Sequence, residues 1–127
     1  VFQIFITTMK KFFTAVFAIG IAATASAQTK AVQQVEIKTP TVQCNMCKDR
    51  IESYLKKHYG VQTAVVNVKM KIVKVKYLTD RTDAEQIKAV IANAGYDADD
   101  LPANEDSYKQ LPKCCKKPED GGGKPKQ

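Results

Sequence analysis

The sequence predicts an α+β domain with the element order βαββαβ, a four-stranded antiparallel sheet carrying two helices on one face. Three observations predict it. Apolar residues recur at every second position around Val35–Thr39, Ala64–Val68 and Val73–Tyr77, the period of a half-buried strand. They recur at three- and four-residue spacing over 47–58 and 84–94, the period of an amphipathic helix. Pro40, Gly60, the Lys69-Met70-Lys71 triplet and Gly95 then punctuate the segments, as turn-forming and helix-ending positions do.

The first strand sets Val35, Ile37 and Thr39 against Glu36 and Lys38, and Pro40 ends it. Thr41 to Met46 is a loop holding the first cysteine. A helix is expected to begin near Cys47, with Cys47, Ile51, Tyr54, Leu55 and His58 on its apolar face and Gly60 as its stop. Val61 to Val68 is the second strand, with Ala64, Val66 and Val68 on one side. After a hairpin turn at Lys69–Lys71, the third strand runs from Ile72 to Leu78 with Val73, Val75 and Tyr77 inward. Lys74 and Lys76 face water as a solvated surface. Thr82 and Glu85 have the spacing of a capping box. They would open a second helix with Ala84, Ile87, Val90, Ile91 and Ala94 buried and Gly95 just past its end. Tyr96 to Leu101 is a short fourth strand, diluted by Asp97, Asp99 and Asp100. Two right-handed βαβ units side by side give a ferredoxin-like sandwich.

The segment before this domain is of another kind. Met9-Lys10-Lys11 is basic, Phe12–Ala23 is apolar but for Thr14 and Gly20, and Ala25-Ser26-Ala27 is a small-residue cleavage site. That order is expected of a secretory signal peptide over residues 1–27, and the apolar run falls short of the ~20 residues that span a bilayer. Val1–Thr8 precedes a better start at Met9 and is expected to lie outside the true open reading frame. The expected location is periplasmic or secreted, with no stable membrane insertion after cleavage. The working chain would comprise a domain over 28–101 and a cysteine-containing tail over 102–127. Disorder is expected from the Gly121-Gly122-Gly123 run onward. Setting Lys10 and Lys11 aside from 20 Lys and Arg leaves 18 against 13 Asp and Glu, a net +5. These charges are interspersed, with no aromatic–basic stacking motif, so the composition speaks for a solvated surface and against nucleic-acid binding.

The chemistry rests on cysteine. Cys44-Asn45-Met46-Cys47 puts two sulfurs within reach of one ion, and Cys47 falls in the first turn of a helix. Free amides and the helix dipole there favour the thiolate, a soft ligand suited to Cu(I), Zn(II) and similar ions. Two thiolates leave a tetrahedral ion incomplete. They fit a linear two-coordinate ion, or a site completed by a partner, which suits carriage of metal. The same spacing serves thiol–disulfide oxidoreductases, and that is the alternative function. No tryptophan and no cis-proline candidate accompany it here. Cys114 and Cys115 stand about 13 residues past Leu101, enough chain to span ~40 Å and return to the metal end. They are candidates for added ligands or a relay. A disulfide with Cys44 or Cys47, a vicinal disulfide and free thiols stay open. His58 reads as a packed residue, and Met46 and Met70 as loop and turn residues.

Pro40-Thr41-Val42-Gln43-Cys44-Asn45-Met46-Cys47, with Ile51 following and Gly95-Tyr96 downstream, resembles the heavy-metal-associated domain family. That family includes copper chaperones, metal-binding domains of copper-exporting ATPases and the periplasmic mercury-binding protein. The resemblance covers about Val35 to Leu101 and implies a non-enzymatic ferredoxin-like domain that binds metal through Cys44 and Cys47. It makes copper, as Cu(I), the first expected cargo, with Hg(II) or Zn(II) next. It implies a membrane metal transporter or another carrier as partner. Tyr96 matches a position near the metal loop where bacterial chaperones often carry tyrosine. Thr41-Val42-Gln43 departs from the family's usual Gly-Met-Thr, and Val42 is shorter than the methionine that packs under the loop.

Overall fold

The structure, a computed structural model, describes residues 31–123. Residues 1–30, which include the expected signal peptide, and the last four residues lie outside them. β1 is Val32–Lys38, α1 Asn45–Lys57, β2 Val61–Asn67, β3 Ile72–Leu78 and α2 Ala84–Ala94. The tail adds a short α3 at Glu105–Lys109 and 3-10 turns at Lys113–Cys115 and Pro118–Asp120. No helix among the described residues is long and apolar enough to cross a membrane.

The sheet is antiparallel with the order β1-β3-β2. Val35 and Ile37 pair with Val75 and Val73, which pair in turn with Ala64 and Val66. This apolar band forms the floor of the core. Ile51 and Leu55 of α1 and Ile87 and Ile91 of α2 cover it, all fully buried. Each such side chain contributes about 1.5–3 kcal/mol by leaving water. The opposite faces of the strands carry the charge, as in the 2.9 Å pair of Lys74 with Glu36.

Two expectations are corrected. The sheet has three strands among the described residues, where four were expected. Tyr96 to Leu101 makes only an isolated bridge between Ala98 and Leu101. Asp99 takes a left-handed conformation at φ 51°, which an acidic residue tolerates better than most. Its carboxylate accepts from the Lys38 backbone N–H at 2.7 Å, while its own N–H donates to the Lys38 carbonyl at 2.8 Å. The chain therefore touches the end of β1 and turns back, without running along it.

Second, Thr82 is not the cap of α2. Asp83 is: its side chain accepts from the Gln86 N–H at 2.8 Å. Thr82 is buried and its Oγ1 stands 3.0 Å from His58 Nε2, so the hydroxyl is spent on joining the two helices. The glycine run is described as far as Gly123. The Gly122 N–H donates to the Lys117 carbonyl at 3.0 Å, and a Cβ on Gly122 would stand 2.2 Å from the Lys116 oxygen and 2.7 Å from the Lys113 oxygen. Only a residue without a side chain lets the backbone close that tightly.

Candidate metal centre

β1 delivers the chain into the loop at Thr39–Gln43. Thr39 donates its N–H to the Lys71 carbonyl at 2.8 Å, and Lys71 Nζ reaches the Pro40 carbonyl at 3.0 Å. The β2–β3 turn thus lies at the same end as the loop. Met70 in that turn is 65% exposed. Val42 is fully buried and supports the loop from below. Thr41 Oγ1 accepts from the Asp97 N–H at 3.1 Å, which fixes the Gly95–Asp97 segment against the loop.

Cys44 is the N-cap of α1 in an extended conformation, and Cys47 sits in the first turn, fully buried. The helix starts two residues earlier than the apolar period implied, because Asn45 and Met46 are exposed and carry no periodic signal. The Cys44 and Cys47 sulfurs are 3.2 Å apart. Burial pushes the Cys44 thiol up, but the Cys47 backbone amide and the thiols of Cys47, Cys114 and Cys115 outweigh it and hold Cys44 below the ordinary thiol range.

The tail brings the other two cysteines to the same place. Cys114 Sγ lies 3.2 Å from Cys44 Sγ and donates to it, and Cys115 Sγ lies 3.7 Å from Cys44 Sγ. The Cys44, Cys47 and Cys115 sulfurs all lie within 4.8 Å of one another. Cys115 is buried, and that burial, with the Cys47 thiol beside it, pushes its pKa up. Donation to Cys44, then burial, raises Cys114.

This convergence follows from the missing fourth strand. Since the chain turns back at Asp99, the tail starts at the metal end and has no 40 Å to recover. The Asn104 N–H donates to the Ala92 carbonyl at 2.9 Å and Ala103 to the Asp97 carboxylate at 2.8 Å. Leu111 is buried against Gly95. The Tyr108 hydroxyl accepts from the Lys117 N–H at 2.8 Å and donates to Asp120 at 2.5 Å, clamping the turn that bears Cys114 and Cys115.

Two further side chains join them: Met46, which the sequence presents as a loop residue, and Tyr96, which the family resemblance sets near the metal loop. Met46 places its sulfur 3.5 Å from Cys114 Sγ. Its thioether is a soft ligand type, and only the tail's docking reveals the contact. Tyr96 is fully buried. Its hydroxyl has no hydrogen-bond partner of acceptable geometry, although the Cys115 and Cys47 thiols are its neighbours. Burial, then Cys115, pushes the phenol well up, so it stays a donor. His58 is committed to Thr82.

A βαββα frame that presents a helix-start CxxC and two more thiols defines a small metal-binding domain. The model of the heavy-metal-associated domain matches residues 36–97, and the chain belongs to that family. It is 40% identical over 76 residues, 60% of its length, to a copper-exporting P-type ATPase of Staphylococcus aureus, of which it spans only 10%. Among solved structures it resembles the CopZ metallochaperone, with 32% identity, a TM-score of 0.51, and coverage of 52% of this chain and 98% of that one. Oxidized MerP from Ralstonia metallidurans CH34 shares the fold at 24% identity and TM-score 0.52, covering 54% of this chain and 94% of that one.

Proposed function

We propose that this chain is a non-enzymatic carrier of a soft metal ion, Cu(I) before Hg(II) or Zn(II), held by Cys44 and Cys47 and working in the periplasm or outside the cell. The observation that carries the proposal is the pair of sulfurs 3.2 Å apart at the start of α1, one at its N-cap and one buried in its first turn. Helix-start amides favour negative sulfur, and a soft cation is the natural counter-charge for two thiolates. The likeness to a metallochaperone and to a copper-exporting ATPase supports copper as cargo and a membrane transporter or second carrier as partner. The basic–apolar–small leader pattern in the sequence supports export.

The test is loading of the reduced protein with competing Cu(I), Zn(II) and Hg(II), followed by elemental analysis. One equivalent of copper is expected in the wild type and none tightly held in Cys44→Ser/Cys47→Ser. Retention of copper by the double variant would end the proposal. Catalytic insulin reduction without metal would favour the oxidoreductase.

A further inference from the structure

We propose that the C-terminal segment completes the metal site from within the same chain. The Cys115 thiolate joins Cys44 and Cys47 as a third ligand in a buried site, and Cys114 with Met46 forms the outer soft pair through which the ion is exchanged. This rests on the reading of Cys44 and Cys47 as a soft-metal site and goes beyond it in ligand number and in the route of exit.

The sulfur spacings fit three ligands better than two. With a metal–thiolate bond of about 2.3 Å, a linear ion needs its two sulfurs about 4.6 Å apart, whereas a planar three-coordinate ion needs each pair about 4.0 Å apart. Cys44 and Cys115 stand at 3.7 Å, almost at the three-coordinate spacing. Cys44 and Cys47 stand at 3.2 Å, nearer to the three-coordinate value than to the linear one. All three sulfurs already occupy one small volume.

Two further features fit Cys115 as a metal ligand better than as an inert core residue. Tyr96 keeps a buried, unpartnered hydroxyl next to Cys115 and Cys47. An orphan donor of this kind is costly, and a thiolate acceptor satisfies it. The turn is also built to hold Cys115 in place. Gly122 passes against the Lys113 and Lys116 carbonyls, Tyr108 ties Lys117 to Asp120, and Leu111 seats the approach on Gly95. Cys114 and Met46 are the accessible side of the cluster: Met46 is 56% exposed and Cys114 half-buried. Cys114 lies 3.2 Å from Cys44 and 3.5 Å from Met46. Exchange there forms one metal–sulfur bond before another breaks. Each entering thiol releases its proton to water, each departing thiolate takes one up, and no electron moves.

The test uses the full chain, reduced with a thiol-free reductant and loaded with one equivalent of Cu(I). Copper-edge X-ray absorption counts sulfurs, and competition with a chromophoric Cu(I) chelator gives affinity and transfer rate. Three sulfurs are expected in the wild type. Cys115→Ser is expected to fall to two, with affinity at least about tenfold lower, since even outer partners of metal ligands are worth about 10–100-fold. Cys114→Ser is expected to keep three sulfurs and its affinity but to hand copper over more slowly. Two sulfurs in the wild type, a measurement needing no variant, would overturn the proposal, as would three in Cys115→Ser or a sulfur lost in Cys114→Ser. If Cys44→Ser/Cys47→Ser binds like wild type, it is the underlying metal-site reading that fails.

Discussion

Gly95 couples the end of α2 to the docking of the tail, and a mutant cycle with Leu111 measures the coupling. Gly95 is left-handed at φ 104°, which costs an alanine about 1–2 kcal/mol. A Cβ there stands 3.1 Å from Leu111 Cδ2, 3.2 Å from Leu111 Cγ and 3.2 Å from the Ser107 carbonyl carbon. Such crowding in a packed site costs about 1 kcal/mol, the low end for overpacking. Gly95→Ala should therefore lose about 2–3 kcal/mol. Leu111 is 4% exposed, so Leu111→Ala should lose about 2–5 kcal/mol. Two of the three close contacts of the new Cβ are Leu111 atoms, so the double variant should lose about 1 kcal/mol less than the two singles together. Urea unfolding followed by far-ultraviolet circular dichroism gives the cycle, and each kcal/mol should also lower Tm by about 4–8 °C. Additivity within about 0.5 kcal/mol would refute the claim that the tail is seated on Gly95.

Tyr96→Phe removes a buried hydroxyl that has no partner in the metal-free chain. Metal-free stability should hold or rise by up to about 1 kcal/mol, while copper affinity falls. A stability loss above about 1 kcal/mol in urea would show that the hydroxyl is already paired. The cysteines should also separate by reactivity. Cys44 is held below the ordinary thiol range and Cys115 above it, and only thiolate reacts. In the reduced metal-free protein, iodoacetamide labelling of Cys44 should therefore rise at lower pH than for a free thiol, with Cys115 unlabelled until the pH is well above that. Peptide mass spectrometry against pH reads this directly, and bound copper should protect Cys44. Equal labelling of the two at neutral pH would contradict the placement of Cys115.

Much of the frame was legible in the sequence because its elements bury one face each. Ile37, Val73, Val75, Ala64 and Val66 alternate, and Ile51, Leu55, Ile87 and Ile91 recur at helical spacing. Cys44 and Cys47 were legible too, since one loop and one helical turn suffice to bring them together. The misreadings came where local signals compete. Thr82 and Asp83 both suit an N-cap, and the contact with His58 took Thr82 away. Tyr96–Leu101 had strand-forming residues, yet the Asp99 carboxylate found the Lys38 amide and reversed the chain.

The sequence by itself determined the fold family and the sulfur pair at the start of α1, because hydrophobic period and ligand spacing are local properties. Only the tertiary structure decided that Cys114, Cys115 and Met46 gather around that pair. Cys44 and Cys114 are 70 positions apart, and their meeting depends on the reversal at Asp99, the seat of Leu111 on Gly95 and the turn closed at Gly122. Contacts of that range carry no periodic mark in the chain; they exist because packing leaves the tail one place to go.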